Sequence, residues 1–153
     1  MLDRRPVTNA LAQLLATLTG KPVGQQTVPL NPATGKPYLP PYTLLYSLDR
    51  DNDDGTLADA GTAGTADYQA TFVSGPNATQ QQGTEEQVEW LADKGRAVVA
   101  RPPDGSHGFL HPLTIPGIIC YHRTAHEPGA TSDANDAIIS YVIRFRLYLE
   151  AAA

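Results

Sequence analysis

The stretch AIISYVIRFRLYLE, residues 137–150, decides the fold of this chain. Its apolar residues recur at every second position, and alternate residues of a β-strand point to opposite sides of a sheet. The dry face carries Ile139, Tyr141, Ile143, Phe145, Leu147 and Leu149. The other face mixes apolar side chains with Arg144, Arg146 and Tyr148. A strand of this length spans about 46 Å, so it either bends or offers free edges to another chain.

Working outward, the sequence predicts two helices and three more strands. An apolar stripe at helical spacing runs through residues 4–18, with Asp3 as the N-cap and Gly20 as the terminating residue. Thr84 and Gln87 form a capping-box pattern at the start of a second helix, residues 83–100. Strands are predicted over residues 42–49, 67–74 and 118–125, followed by a turn region over residues 127–135.

The order α-β-β-α-β-β predicts a single α+β domain over residues 1–153. We expect a four-stranded mixed or antiparallel sheet, with both helices packed on one face and with long loops. Residues 21–41 contain six prolines and are predicted to form an extended connector. Residues 50–66 are acidic and then rich in Gly, Ala and Thr, which indicates a mobile surface loop.

Composition narrows the class of protein. The net charge is −5 and no basic block occurs, which disfavours tight binding to nucleic acid. The single cysteine excludes an internal disulfide. No signal peptide or membrane-spanning segment is evident, because the apolar run at residues 11–18 is too short.

Four acidic residues near the end of the first strand suggest calcium binding. Starting an EF-hand frame at Asp49, with Asp51 and Asp53 as ligands, puts Asp54 where glycine is needed and Ala60 where glutamate is needed. The spacing therefore favours a solvated acidic turn over an ion site.

The histidines and the cysteine offer no strong catalytic or metal pattern. His122 and His126 would be about 13 Å apart on a strand, too far to share a zinc ion. His107 and His111 lie in a Gly/Pro loop. Cys120 and His122 are expected on one strand face, about 6.6 Å apart, which is long for a nucleophile–base pair.

A structural thiol at Cys120 and core packing for Trp90 are the favoured interpretations, against a nucleophile and a binding anchor respectively. We therefore expect no enzymatic activity, no metal and no cofactor.

Several stretches together resemble the tail terminator proteins of long-tailed, non-contractile (siphovirus-type) phages. They are RRPVTNALAQLLATLTG, PPYTLLYSLD, DGTLADAG, DYQATFVSG and EEQVEWLADKGRAVVA. The most telling pieces are Pro41-Tyr42, Tyr68-Gln69 with Thr71 and Val73, and residues 89–93 with Arg96. The resemblance covers most of residues 4–100, is weaker over residues 102–127, where the His/Gly/Pro loop has no match, and extends to the closing strand only in kind.

The resemblance implies a virion protein of the tail and neck, assembled in the host cytoplasm. Such proteins form a ring, usually a homohexamer, at the head-proximal end of the tail tube. The ring ends tube polymerisation and meets the head completion or stopper protein, and DNA passes through its lumen. The family has no catalytic residues to carry over, and no membrane is implied.

On this basis Arg144, Arg146 and Tyr148 are candidate ring-interface residues. The acidic residues Asp49, Asp51, Asp53 and Asp54 are candidates for a loop that faces the lumen or the connector. Two alternatives remain: another neck component, such as a head–tail stopper or adaptor, and a small α+β ligand-binding module.

Overall fold

A computed structural model describes residues 2–53, 63–133 and 137–152. These form a five-stranded mixed sheet, two α-helices and one 3₁₀ turn. In chain order the elements are α1 (Arg4–Thr19), β1 (Val23–Gln25), β2 (Tyr42–Asp53), β3 (Ala63–Ser74), α2 (Glu85–Arg96), the 3₁₀ turn Ala97–Val99, β4 (Ile118–Asp133) and β5 (Ile138–Ala151). The strand order across the sheet is β1-β2-β3-β5-β4.

The α+β class is confirmed, but the prediction of four strands is wrong by one. The extra strand is β1, which lies inside the predicted connector and pairs in parallel with β2, with Val23 beside Thr43. A strand of three residues is too short to show a period of two, so the sequence pattern gave no sign of it.

The predicted mobile loop over residues 50–66 is partly strand. Residues 50–53 and 63–66 continue β2 and β3, with Asp51 opposite Thr65 and Asp53 opposite Ala63. Residues 63–66 also pair with β5 on their other side. Hydrogen bonding along both edges stabilises strand structure even where the side chains are small. Residues 54–62 lie outside the described part of the chain.

The predicted turn over residues 127–135 is also strand up to Asp133. β4 and β5 form a long antiparallel hairpin in which Asp133 pairs with Ile138. The register shifts twice, between Cys120 and His122 and between His126 and Gly129. Each shift is the kind of irregularity that interrupts side-chain alternation, which is why the strand looked shorter in sequence than it is.

Both helices pack on one face of the sheet, as predicted. Val7, Leu11 and Leu15 of α1 are fully buried. Val88, Leu91 and Ala92 supply the matching face of α2. The sheet contributes Tyr68, Ala70, Phe72, Ile143, Phe145, Leu147 and Leu149, which confirms the dry face of the closing strand. Gly95 of α2 lies directly over Phe72, where a Cβ atom would overlap the ring.

Both helix starts are capped as predicted. The Asp3 carboxylate accepts a hydrogen bond from the Arg5 N–H at 3.1 Å, and the Thr84 hydroxyl accepts one from the Gln87 N–H at 3.2 Å. Gly20 ends α1 in the left-handed conformation. The second helix is shorter than predicted, because its last turn tightens into the 3₁₀ turn after Arg96.

The face of the sheet opposite the helices is called the open face here. Residues 28–39, the arm, begin beside β1, where Gly24 lets the chain approach closely because a Cβ there would overlap the Thr27 carbonyl oxygen. The arm is a hairpin. The Asn31 N–H donates to the Lys36 carbonyl at 2.8 Å, and the Tyr38 N–H donates to the Pro29 carbonyl at 2.9 Å.

Candidate assembly surfaces

The predicted interface residues Arg144, Arg146 and Tyr148 lie together on the open face. Arg146 makes a two-pronged ion pair with Asp67 on β3, with Nε 2.8 Å from Oδ1 and the terminal nitrogen 2.9 Å from Oδ2. Among the residues that the structure describes, Arg144 makes one long contact, 3.4 Å from its Nε to Gln69 Oε1. Arg144 is therefore the more available of the two cations.

These side chains line a groove of about 350 Å³ on the open face. Its walls include Leu48, Asp67, His126, Arg144, Arg146 and Tyr148. The groove is about half open to solvent and mixes both signs of charge with apolar surface. Such a lining suits contact with a polypeptide surface better than enclosure of a small molecule, which needs a deeper apolar pocket.

An aromatic cluster continues this surface toward the outer strand. The Tyr148 ring lies 5.2 Å from that of His122 and 6.2 Å from that of Tyr121. Tyr121 stands at the first register shift of β4 and is 55% exposed. The third predicted interface residue thus connects the centre of the open face with the edge of the sheet.

The Gly/Pro loop over residues 100–117 covers part of that edge. Its Phe109 ring lies between two guanidinium groups, 4.1 Å from Arg101 and 4.6 Å from Arg123. Arg123 is almost completely buried and donates a hydrogen bond to the Val98 carbonyl at 2.8 Å. Burial lowers the pKa of Arg123. Sequence reasoning missed this clamp, because regular alternation over residues 118–125 puts Arg123 on the face opposite Cys120.

A second polar contact ties α2 to the β4–β5 hairpin. Arg96 Nε donates to Glu127 at 2.8 Å, and the Tyr141 hydroxyl donates to the same carboxylate at 2.7 Å. Asp93 also pairs with Arg96. The Arg96 guanidinium, followed by the Tyr141 hydroxyl, lowers the pKa of Glu127. This contact fixes the helix layer against the far part of the hairpin.

The acidic candidates are only partly placed. Asp49, Asp51 and Asp53 belong to the far half of β2, where the backbone of Asp51 and Asp53 pairs with β3. Asp54 lies outside the described residues. The lumen- or connector-facing role of this segment stays a prediction.

The prediction that Cys120 and His122 share a strand face is wrong. Cys120 pairs with Leu149, on the core side, whereas His122 pairs with Tyr148, on the open face. The register shift between them turns the two side chains to opposite sides of the sheet. The Cys120 thiol donates to the His122 carbonyl at 3.4 Å, and burial raises the pKa of Cys120.

Within residues 2–53, 63–133 and 137–152, no three His, Cys, Asp or Glu side chains converge as a metal site. This range includes His107, His111, His122 and His126. None of the described helices is long and apolar enough to cross a membrane.

The expectation of core packing for Trp90 is also wrong. Its side chain is 44% exposed on the outer side of α2, with Lys94 Nζ 5.9 Å from the ring centre. The helical stripe turned inward is Val88, Leu91 and Ala92, and Trp90 falls outside it.

Comparison with known proteins finds this fold in a virion protein. No family model matches the chain, and no curated protein matches it in sequence. Among solved structures, a chain from the virion of a native gene transfer agent (GTA) particle shares the fold, with a TM-score of 0.57 over 95% of each chain. The two sequences are 14% identical, so the likeness is one of fold.

Proposed function

We propose that this chain is a structural protein of a phage-type virion. In this proposal it forms a ring at the head-proximal end of the tail tube, where it ends tube polymerisation and joins the tail to the head–tail connector. The observation that carries the proposal is the shared fold, over 95% of both chains, with a component of a gene transfer agent virion. The resemblance of residues 4–100 to tail terminators supplies the specific role.

The sheet gives the proposal a physical basis. Within the described residues, β1 and β4 are the two edge strands. Because β1 pairs only with residues 43–45 of β2, the rest of that side of β2 has no partner strand among the described residues. Unpaired strand edges are sites where another chain can add. A cyclic ring requires two different surfaces on each copy, and the two edges of one open sheet meet that requirement.

The remaining parts of the proposal concern partners. They are further copies of the chain, with a homohexamer expected, the tail tube protein, and the head completion or stopper protein. DNA passing through the lumen would meet a protein of net charge −5, which disfavours tight retention. We propose no catalytic role and no cofactor, in keeping with the tail terminators that residues 4–100 resemble.

Deleting the gene for this chain from the genome that encodes the particle tests the proposed function. If the chain ends tube polymerisation, particles without it will contain free tubes of uncontrolled length and heads without tails. A stopper or adaptor would give a different result, namely tubes of normal length that fail to join heads. Normal, joined tails in the deletion strain would contradict the proposal.

A further inference from the structure

Exposed apolar side chains are concentrated at the two edges of the sheet. Among the described residues, eight large apolar side chains are exposed. The arm beside β1 carries Val28, Leu30 and Leu39, while Leu110, Ile119 and Tyr121 lie at or near β4 on the opposite edge. We call the second group the edge patch. Only Leu48 and Trp90 lie elsewhere, so the exposed apolar surface forms two separate poles.

The arm presents its apolar side chains from a preformed hairpin. Besides the two hydrogen bonds that close it, the Gly35 N–H donates to the Asn31 carbonyl at 2.8 Å in the turn. Leu30 is nevertheless 58% exposed and Leu39 63% exposed. An ordered segment with exposed leucines has already met most of the conformational cost of binding, so contact with a partner is less costly.

The edge patch is held rigidly as well. Tyr121 packs on Tyr148, and Leu110 follows Phe109 in the loop that is clamped by Arg101 and Arg123. The Leu110 N–H donates to the Ala100 carbonyl at 2.9 Å, which anchors that part of the loop.

The two poles lie at opposite edges of the sheet within one chain. Four inter-strand spacings separate β1 from β4, which amounts to about 19 Å. One pair of opposite charges is available between them, because the segment 20–41 contains Lys21 and Lys36 and no acid, and the exposed Glu150 pairs across from Ile119.

We propose that the arm of one copy docks on the edge patch of the next copy, head to tail. This inference rests on the proposed ring and assigns its contact: Leu30 and Leu39 cover Ile119 and Tyr121, and Lys36 approaches Glu150. The contact is heterologous, so it leaves one free arm and one free patch on any open chain of copies and closes only in a ring.

Single substitutions test each pole separately. Leu39→Asp and Tyr121→Asp put a charge at exposed positions, so both variants are expected to fold. Each should abolish rings, measured by native mass spectrometry and by negative-stain images of tube ends. The matched control is Trp90→Asp, an aromatic outside both poles that is 44% exposed, which should leave rings intact. Rings that survive either pole variant would overturn the inference.

Mixing the two pole variants gives a sharper result. The Leu39→Asp copy keeps its patch and the Tyr121→Asp copy keeps its arm, so one productive contact remains between them. The mixture should form heterodimers and no rings. A mixture that restores rings, or that stays monomeric, contradicts head-to-tail docking of these surfaces.

Disulfide trapping gives a positive readout. The triple variant carries Leu39→Cys, Tyr121→Cys and Cys120→Ser. It should form a ladder of linked copies on non-reducing gels, because a disulfide needs Cα atoms within about 7 Å and the two poles lie at opposite edges of the sheet within one chain. An oxidised monomer without a ladder overturns the inference. If the wild type forms rings and both pole variants form them equally well, the arm contact is rejected and the proposed function stands. If the wild type forms no rings on tubes, the proposed function is rejected.

Discussion

Arg146 and Asp67 form a two-pronged ion pair across neighbouring strands of the open face, with Nε–Oδ1 at 2.8 Å and the second prong at 2.9 Å. Arg146 is half exposed, so the pair contributes modestly to stability. Its main effect is to fix one arginine in place, whereas Arg144 beside it makes one long contact, to Gln69, within the described part of the chain.

Reversing the charge of Arg144 and Arg146 together should weaken ring formation, since both are candidate ring-interface residues and acids of a neighbour are the partners that cations favour. We expect Arg144→Glu to account for most of the loss, roughly tenfold in assembly affinity, equivalent to about 1.4 kcal/mol. The control is the swap Asp67→Arg with Arg146→Glu, which keeps the pair inside the chain. Concentration-dependent native mass spectrometry measures the effect. An unchanged oligomer in the Arg144→Glu, Arg146→Glu variant would remove both arginines from the interface.

Gly95→Ala should destabilise the fold although alanine favours helices. The new Cβ would overlap the Phe72 ring, and overpacking of a core costs about 1–3 kcal/mol. Urea unfolding measures the loss. Adding Phe72→Leu should recover part of it, because the smaller side chain makes room. If the losses in unfolding free energy caused by the two substitutions simply add, the overlap with the Phe72 ring is not the cause of the destabilisation by Gly95→Ala.

Gln87 joins α2 to the end of β3, and removing its side-chain oxygen should cost stability. Its Oε1 accepts from the Ser74 hydroxyl at 2.6 Å and from Gln80 Nε2 at 2.9 Å. Ser74 in turn accepts from the Thr84 N–H at 3.0 Å. Gln87→Ala should lose about 1–3 kcal/mol by leaving donors without partners. Gln87→Glu keeps the acceptor and should be nearly neutral in thermal unfolding. Equal losses in both variants would contradict this account.

Glu127 should make stability depend on pH. Arg96 and Tyr141 hold its pKa below the usual value, so the folded state favours the carboxylate. The resulting stability is fully present above the unfolded-state pKa and disappears as pH falls through the lower folded-state pKa. Glu127→Gln should therefore be less stable than the wild type at neutral pH, by about 0.5–1 kcal/mol for a partly exposed pair.

The difference in unfolding free energy between the wild type and Glu127→Gln should shrink in strong acid, because the wild-type carboxyl is then protonated and uncharged like the amide. Urea midpoints measured across that range test the linkage. Glu89→Gln, an exposed acid on α2, is the matched control and should show no such trend. A difference that stays constant with pH would mean that the ion pair with Arg96 adds nothing.

Long, regular elements could be predicted from the sequence, and short or interrupted ones could not. The burial of Ile143 and Phe145 could be predicted because a period of two persists through the whole of β5. The strand β1 was missed because three residues carry no period. Cys120 and His122 were assigned to one face because a register shift has no reliable sequence sign.

The candidate surfaces divide in the same way. Arg144, Arg146 and Tyr148 could be placed on one face from alternation alone. Their partners could not, since the pairing of Arg146 with Asp67 depends on which strand lies next to β5. The arm was predicted to be an extended connector, because its hairpin is held by backbone hydrogen bonds and not by a side-chain pattern.

Imaging the neck of the particle by electron cryo-microscopy tests the central claim most directly. The account predicts one closed ring of this chain at the head-proximal end of the tail tube, with the arm of each copy on the β4 edge of the next. Density for the chain along the whole tube, on the head side of the connector only, or nowhere in the particle would contradict it.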